Sequence, residues 1–324
     1  SQMTLTANGQ DAVTITSQLQ AIDGAAVPGQ PKSIETNLAS LVAIDDLDQS
    51  FGVPATLVGD DNGQVEIALR AGFRTGQAEV TVRSRGADPV TLPIQILGGL
   101  ADVGQSTLVA NPTAITADGV MTSEVVLRLR DEFGNPTTRL NSGDSVAITS
   151  DLGAWAGPVV DEGDGRYTRV LSSTNVGNAA VSAAIGTAQL SATASVAMIA
   201  GTPSVLESVS GDQQSGPLLA QLPRPIAVRV TDLQGNPIQG VEVLFDGDGS
   251  TLPANGRVET DLLGIATVKW TLSDQLGTQT LVARLADAPE VSTSFEATAE
   301  VGGVSQLVVR TNPSAGASGE PLTT

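Results

Sequence analysis

The chain has no cysteine and no histidine among its 324 residues. That removes disulfides, thiol catalysis, the usual zinc sites and every Ser-His or Cys-His mechanism. Aromatics are nearly as scarce, with two tryptophans, one tyrosine and five phenylalanines. A carbohydrate-stacking platform needs several exposed rings, so this count argues against one. No apolar run reaches the roughly 18 residues of a spanning helix, so no membrane insertion is expected in this segment. The basic-then-apolar opening of a signal peptide is also missing, and the chain starts in a strand-like stretch, MTLTA. A mature or excised segment is the expectation.

Positive charge is short too. Sixteen basic residues face 35 acidic ones, giving a net charge of −19. A field of that sign repels phosphate backbones, so nucleic acid is not an expected partner. It suits a solvated acidic surface on a secreted or salt-exposed protein.

What the chain does have is glycine in register. Gly76, Gly177 and Gly277 recur 101 and 100 residues apart. Gly63, Gly165 and Gly264 are spaced 102 and 99, and Gly24, Gly134 and Gly235 are spaced 110 and 101. Three landmark sets keeping one period indicate tandem copies of a domain. About a hundred residues is enough for a small domain with its own core.

Within each period the segments are short and alternate apolar with polar residues. Val13, Ile15, Ser17 and Leu19 fall on one face of residues 12–22, and Val125, Leu127 and Leu129 on one face of 124–131. Residues 225–232 repeat the pattern with Ile226, Val228 and Val230. Period-two alternation marks strands with one buried face. Clusters of Gly, Pro, Asn and Asp separate them, such as DEFGNP and DLQGNP. Residues 38–48, LASLVAIDDLD, are the nearest thing to a helical turn and otherwise read as an irregular loop. The fold expected is all-β: antiparallel Ig-like Greek-key sandwiches in tandem, forming an extended rod.

The expected domains are 1–99, 100–201 and 202–302, joined by short glycine links. Residues 303–324 repeat the opening of the second copy, since Asn312-Pro313 follows Asn111-Pro112 by 201 residues. They read as the first strand of a fourth repeat or as a donor strand for another subunit.

The residues quoted so far resemble bacterial Ig-like repeats of the invasin and intimin type. The resemblance rests on 106–136, with its Asn-Pro, Ala-Asp-Gly and closing Asp-x-x-Gly-Asn-Pro, and on 228–245, 258–270 and 277–285. It covers most of the second and third copies. The first departs from it, with AIDGAAVPG in place of the Gly-Asn-Pro turn. The resemblance implies a bacterial cell-surface or secreted protein whose repeats form a stalk carrying an adhesive tip.

Candidate sites are few. Asp60, Asp61, Asp161, Asp164, Asp246 and Asp248 lie in acidic turns that offer oxygens for calcium, and no other cofactor is expected. FDGDGS opens like an EF-hand loop, but Arg257 sits where the closing Glu belongs. Paired carboxylates could serve glycoside hydrolysis, but turns repeating in register suit structure better than one cleft, so no enzyme is expected. Trp155, flanked by Ala and Gly, is the candidate exposed contact, and Trp270 is expected in the core. Val304, Leu307 and Val309 are candidate contacts of the terminal strand. Lys32 and Lys269 are the only possible donors for an intramolecular Lys-Asn crosslink, and Lys269 is expected to point outward.

The function expected is a non-catalytic stalk or spacer. Two alternatives stand beside it: a filament or surface-layer subunit assembled by strand addition, and an adhesin module with a host or matrix ligand. The expected partners are neighbouring Ig-like domains of the same or another chain.

Overall fold

The structure is a computed structural model, and it describes residues 3–302. Among the described residues there is no helix, and the strands group into six sheets. The chain divides into two compact units, one ending at Ile199 and one beginning at Ala200. The first holds two apolar cores, around Ile34–Ile94 and around Leu127–Val196, and the second holds one around Trp270 and Phe295.

Each core lies between two sheets. In the first sandwich one sheet runs Thr4–Thr6, Val90–Leu97, Gly76–Ser84, Pro31–Thr36, Ala55–Val58. The facing sheet has three strands, Ala12–Gln18, Gln64–Arg70 and Ser40–Val42. The second sandwich pairs Ala114–Thr116, Ala194–Ile199, Gly177–Ile185 and Val146–Ser150 against Ala154–Trp155, Arg166–Ser172, Ser123–Arg128 and Thr107–Asn111. The third sets Gln214–Pro217, Ser292–Glu300, Gly277–Leu285, Glu242–Gly247 and Arg257–Glu259 against Val205–Ser210, Ile226–Thr231, Ile265–Thr271 and Ser250–Leu252. In all three, a short early strand lies parallel to the last one: Thr4–Thr6 on Val90–Leu97, Ala114–Thr116 on Ala194–Ile199, and Gln214–Pro217 on Ser292–Glu300.

The alternation seen in the sequence is the burial seen in the fold. Val125, Leu127 and Leu129 are buried while Arg128 is exposed between them, and Ile226, Val228 and Val230 are buried around Arg229. Trp270 is in the core, with its indole N–H donated to the Asp248 carbonyl at 2.7 Å.

Each glycine set has its own physical reason. Gly76, Gly177 and Gly277 begin the nine-residue strands Gly76–Ser84, Gly177–Ile185 and Gly277–Leu285. Gly63, Gly165 and Gly264 sit where two backbones touch: a Cβ on Gly165 would lie 2.1 Å from the Thr137 carbonyl, and one on Gly264 would lie 2.5 Å from that of Val230. Gly24, Gly134 and Gly235 have open space but a φ of +81° to +85°, the left-handed region that a side chain disfavours.

Residues 38–48 correct the sequence reading. Ser40–Val42 is a strand paired with Gln64–Arg70, and Leu41 and Val42 are fully buried. Three residues are too few to show a period, so the stretch carried no strand signal. The expectations for residues 303–324, including Val304, Leu307 and Val309, lie outside the described residues.

Candidate functional site

The most constrained polar group in the first unit lies between its two sandwiches. It grows from the sequence DEFGNP, residues 131–136. The turn closes through Gly134 N–H donating to the Asp131 carbonyl and Asp131 N–H donating to that of Asn135, both 2.9 Å. The side chains of Asp131 and Asn135 then fold over it, 0% and 8% exposed. Asp131 Oδ1 accepts from the N–H groups of Phe133 and Asn135, at 3.0 and 2.9 Å. Its Oδ2 accepts from Gly99 N–H, on the link between the sandwiches, at 2.9 Å. The Asn135 amide donates to Asp131 and to the Phe73 carbonyl of the first sandwich at 2.9 Å, and accepts from Thr75 N–H at 3.3 Å.

Other contacts close around this pair. The Phe73 and Phe133 rings lie 4.8 Å apart at a 51° tilt. Thr137 donates its hydroxyl to the Gly99 carbonyl, and Arg139 reaches Thr6 Oγ1 at 3.1 Å. A Cβ on Gly98 would sit 2.5 Å from the Pro136 carbonyl, so the link passes too close for a side chain. Burial pushes the Asp131 carboxyl up, but the Asn135 amide and the N–H groups of Gly99, Asn135 and Phe133 outweigh it. The net effect holds the group below the usual carboxylate range. A cleft of ≈ 450 Å³ opens beside the pair, lined among others by Asn8, Asp102 and Arg139.

The second unit carries the same device. Asp232, 2% exposed, accepts from Gly201 N–H at 2.9 Å, from Gln234 N–H at 3.0 Å and from Asn236 N–H at 2.8 Å. Asn236 donates its amide to Asp232 Oδ2 at 2.9 Å. Burial again opposes these bonds, and the bonds again hold Asp232 low. The first copy keeps only the backbone of the turn: Ala21 and Ala25 stand where the pair would be, and Gly24 N–H still reaches the Ala21 carbonyl at 2.9 Å. The sequence showed the repeated motif as turn chemistry. That its acid is a buried clamp on the preceding glycine was not legible, because Gly99 and Asp131 are 32 residues apart.

The calcium candidates are scattered. Among the described residues no three acidic side chains converge as a metal group would require. Asp60 Oδ1 accepts from Asn62 and Gln64 N–H at 2.9 and 2.7 Å, and Asp161 and Asp164 accept from Gly163 and Arg166 N–H. Asp248 accepts from Thr280 N–H at 2.9 Å, while Asp246 lies 4.0 Å from Arg284. Asp61 is exposed on the Asp60 turn. Asp60, Asp161, Asp164 and Asp248 thus cap turns and strand ends.

Trp155 is not the loop residue that its glycine neighbours suggested. It belongs to the short strand Ala154–Trp155, half-buried against the second core, and pairs with Leu171. The Arg169 guanidinium lies 4.5 Å from its ring centroid, a cation–π contact that covers the face. Lys269 is exposed as expected. Lys32 is 1% exposed, with its ammonium donating to the Ser17 and Gly63 carbonyls, a burial the sequence gave no sign of.

The fold is a succession of all-β Ig-like sandwiches with clamps repeated in the second and third. Residues 102–201 match the family model described as invasin, domain 3. The chain is 23% identical over 309 residues to the inverse autotransporter adhesin YeeJ of Escherichia coli strain K12, which covers 93% of this chain. It spans 13% of the length of that relative. Among solved structures, the E. coli adhesin FdeC aligns with 92% of this chain and 96% of its own, at 17% identity and a TM-score of 0.59. InvD of Yersinia pseudotuberculosis aligns with 90% and 93%, at 19% identity and a TM-score of 0.55. Invasin, a bacterial integrin-binding protein, aligns with 92% of this chain and 58% of its own, at 24% identity and a TM-score of 0.50. These likenesses establish the fold.

Proposed function

We propose that this chain is a non-catalytic adhesion segment of a bacterial cell-surface protein, and that its sandwiches act as spacers. The observation that carries this reading is the buried Asp131–Asn135 clamp on the Gly99 link. The carboxylate is 0% exposed, and its bonds go to three backbone N–H groups and the Asn135 amide, which suits a structural role. The clamp restricts how the first sandwich moves on the second, which is what a spacer requires. The surface location and the adhesive context come by analogy with the YeeJ-like and invasin-like proteins. We take the three cores as three domains with limits near 99 and 201. Any host or matrix ligand would be engaged elsewhere than at the clamps. Calcium is not needed for this role.

The test is adhesion by the purified chain. Coated on a surface, it is expected to bind neither epithelial cells nor matrix proteins above the level of an unrelated Ig-like protein. Saturable binding to either would overturn the spacer reading in favour of a ligand-binding module.

A further inference from the structure

The second sandwich differs from the other two at one sheet edge. In the first, Ala55–Val58 covers the outer edge of Pro31–Thr36, and in the third Arg257–Glu259 covers that of Glu242–Gly247. The equivalent strand of the second is Val146–Ser150, which like them pairs with a nine-residue strand, here Gly177–Ile185. Among the described residues, no strand covers its outer edge. The chain that follows turns away, since Ala154–Trp155 and Val160–Asp161 both pair with Arg166–Ser172 in the facing sheet. Gly186 N–H donates to the Ser145 carbonyl and Asp151 N–H to that of Ala180, so the odd-numbered residues bond to Gly177–Ile185. The backbone groups of Val146, Ile148 and Ser150 therefore point outward from the edge.

One side chain stands at that edge. Arg169 donates through Nη1 to the Ile148 carbonyl at 2.6 Å, where the N–H of a covering strand would lie. Its Nε donates to the Gly157 carbonyl at 2.9 Å, and the guanidinium carbon lies 4.5 Å from the Trp155 ring centroid. Ile148 is left 0% exposed. Arg169 reaches the edge from a core position. It is the fourth residue after Gly165, and the fourth residues after Gly63 and Gly264 are the buried Ile67 and Val268. The three lie opposite the buried Val125, Ile15 and Ile226. An aliphatic side chain there would pack between the sheets without the cost of desolvating a cation. Among the described residues no carboxylate pairs with Arg169 to offset that cost. The cation thus stands in the sandwich whose edge has no covering strand, and aliphatic residues stand in the two whose edges are covered.

We propose that Arg169 takes the place of the missing strand, as a guard that keeps Val146–Ser150 from pairing with the same edge of a second copy of this chain. Two such edges are complementary. Placed antiparallel about Ile148, Val146 meets Ser150 of the second copy, and outward N–H groups meet outward carbonyls. The acids at the strand ends oppose the same partner. That pairing sets Asp151 opposite Ser145 of the second copy, beside its Asp144, at both ends of the ladder. Like charges brought together across a ladder are destabilising. The guanidinium closes the middle of the edge, and the two carboxylates defend its ends. The guard rests on the second sandwich alone, so it stands or falls independently of the spacer reading.

The test is Arg169→Leu in the full chain, which places at this position the kind of residue the other copies have. The variant is expected to fold, as read by circular dichroism. In dilute solution its amide exchange at Ile148 should be about tenfold faster or more than in the unaltered chain. In sedimentation at raised salt, which screens Asp144 and Asp151, it should associate with rising concentration while the unaltered chain stays monomeric. Adding Ser150→Pro should abolish the association. The Ser150 N–H points outward, so proline there removes a pairing group and no ladder bond. If the leucine variant does not fold, Arg169→Met, which keeps an unbranched stem, is read in the same way. A role in packing alone would shift the melting temperature and leave sedimentation of the folded chain unaltered. A folded variant that stays monomeric at raised salt, or association that survives Ser150→Pro, would overturn the guard.

Discussion

Asp131 and Asn135 stand four residues apart on one turn, and the carboxylate of the first holds the amide that anchors the second to Phe73. Removing either should therefore act at the joint before it acts on a core. Asp131→Ala strips partners from three backbone N–H groups and should cost about 2–4 kcal/mol, whereas Asn135→Ala should cost about 1–2. Calorimetry of the first thermal transition measures both. The double variant should cost less than the sum, because the two side chains share a bond.

Acid should weaken both clamps. Asp131 and Asp232 both have carboxyls held below their ordinary range in the folded chain. A depressed folded value means that the stabilisation is complete above the unfolded value, near pH ~3.9, and is lost as pH falls through the folded one. The melting temperature should therefore drop between about pH 4 and pH 2. In the Asp131→Ala/Asp232→Ala variant this drop should be smaller, since neither group remains to be protonated. Melts at pH 7, 4 and 2.5 compare the two slopes.

The glycine landmarks allow a graded test. Gly165→Ala would place a Cβ 2.1 Å from the Thr137 carbonyl at a φ of +80°, while Gly134→Ala meets nothing within 4 Å at a φ of +81°. The backbone strain is shared and the collision is not. Gly134→Ala should cost about 1 kcal/mol and Gly165→Ala clearly more, about 3 kcal/mol or above. Urea denaturation of the two variants gives the difference directly, and equal costs would remove the steric reading of the second glycine set.

Much of this fold was legible in the chain because its signals are local. The alternation of Val125, Leu127 and Leu129, and the turn glycine Gly134, depend on neighbours a few residues away. The joint depends on residues far apart in sequence. Gly99 meets Asp131 across 32 residues and Phe73 meets Asn135 across 62, and no short-range pattern encodes either contact. Trp155 misled for the same reason, since its cover, Arg169, lies on another strand. The first copy's divergence was visible as AIDGAAVPG, but its consequences were not. Ala21 and Ala25 remove the clamp from that turn, and Lys32 is buried with its ammonium on the Ser17 and Gly63 carbonyls.

Lys32 offers a pH test of its own burial in the first sandwich. Its ammonium is buried against the carbonyls of Ser17 and Gly63, with no carboxylate bonded to it. Burial lowers its pKa, and the charge of Asp60 only partly offsets this. A lysine whose folded value is depressed releases its proton earlier in the folded chain than in the unfolded one. Between the two values the unfolded state binds more protons, so stability rises with pH through that window, up to the unfolded value near ~10.4. Lys32→Met keeps the length and removes the titration. The stability of the wild type relative to this variant should therefore grow as pH is raised from neutral toward about 10. Urea melts followed by circular dichroism at pH 7, 8.5 and 9.5 measure the difference. A difference that stays flat or shrinks would mean that the two carbonyls and Asp60 stabilise the ammonium as well as water does.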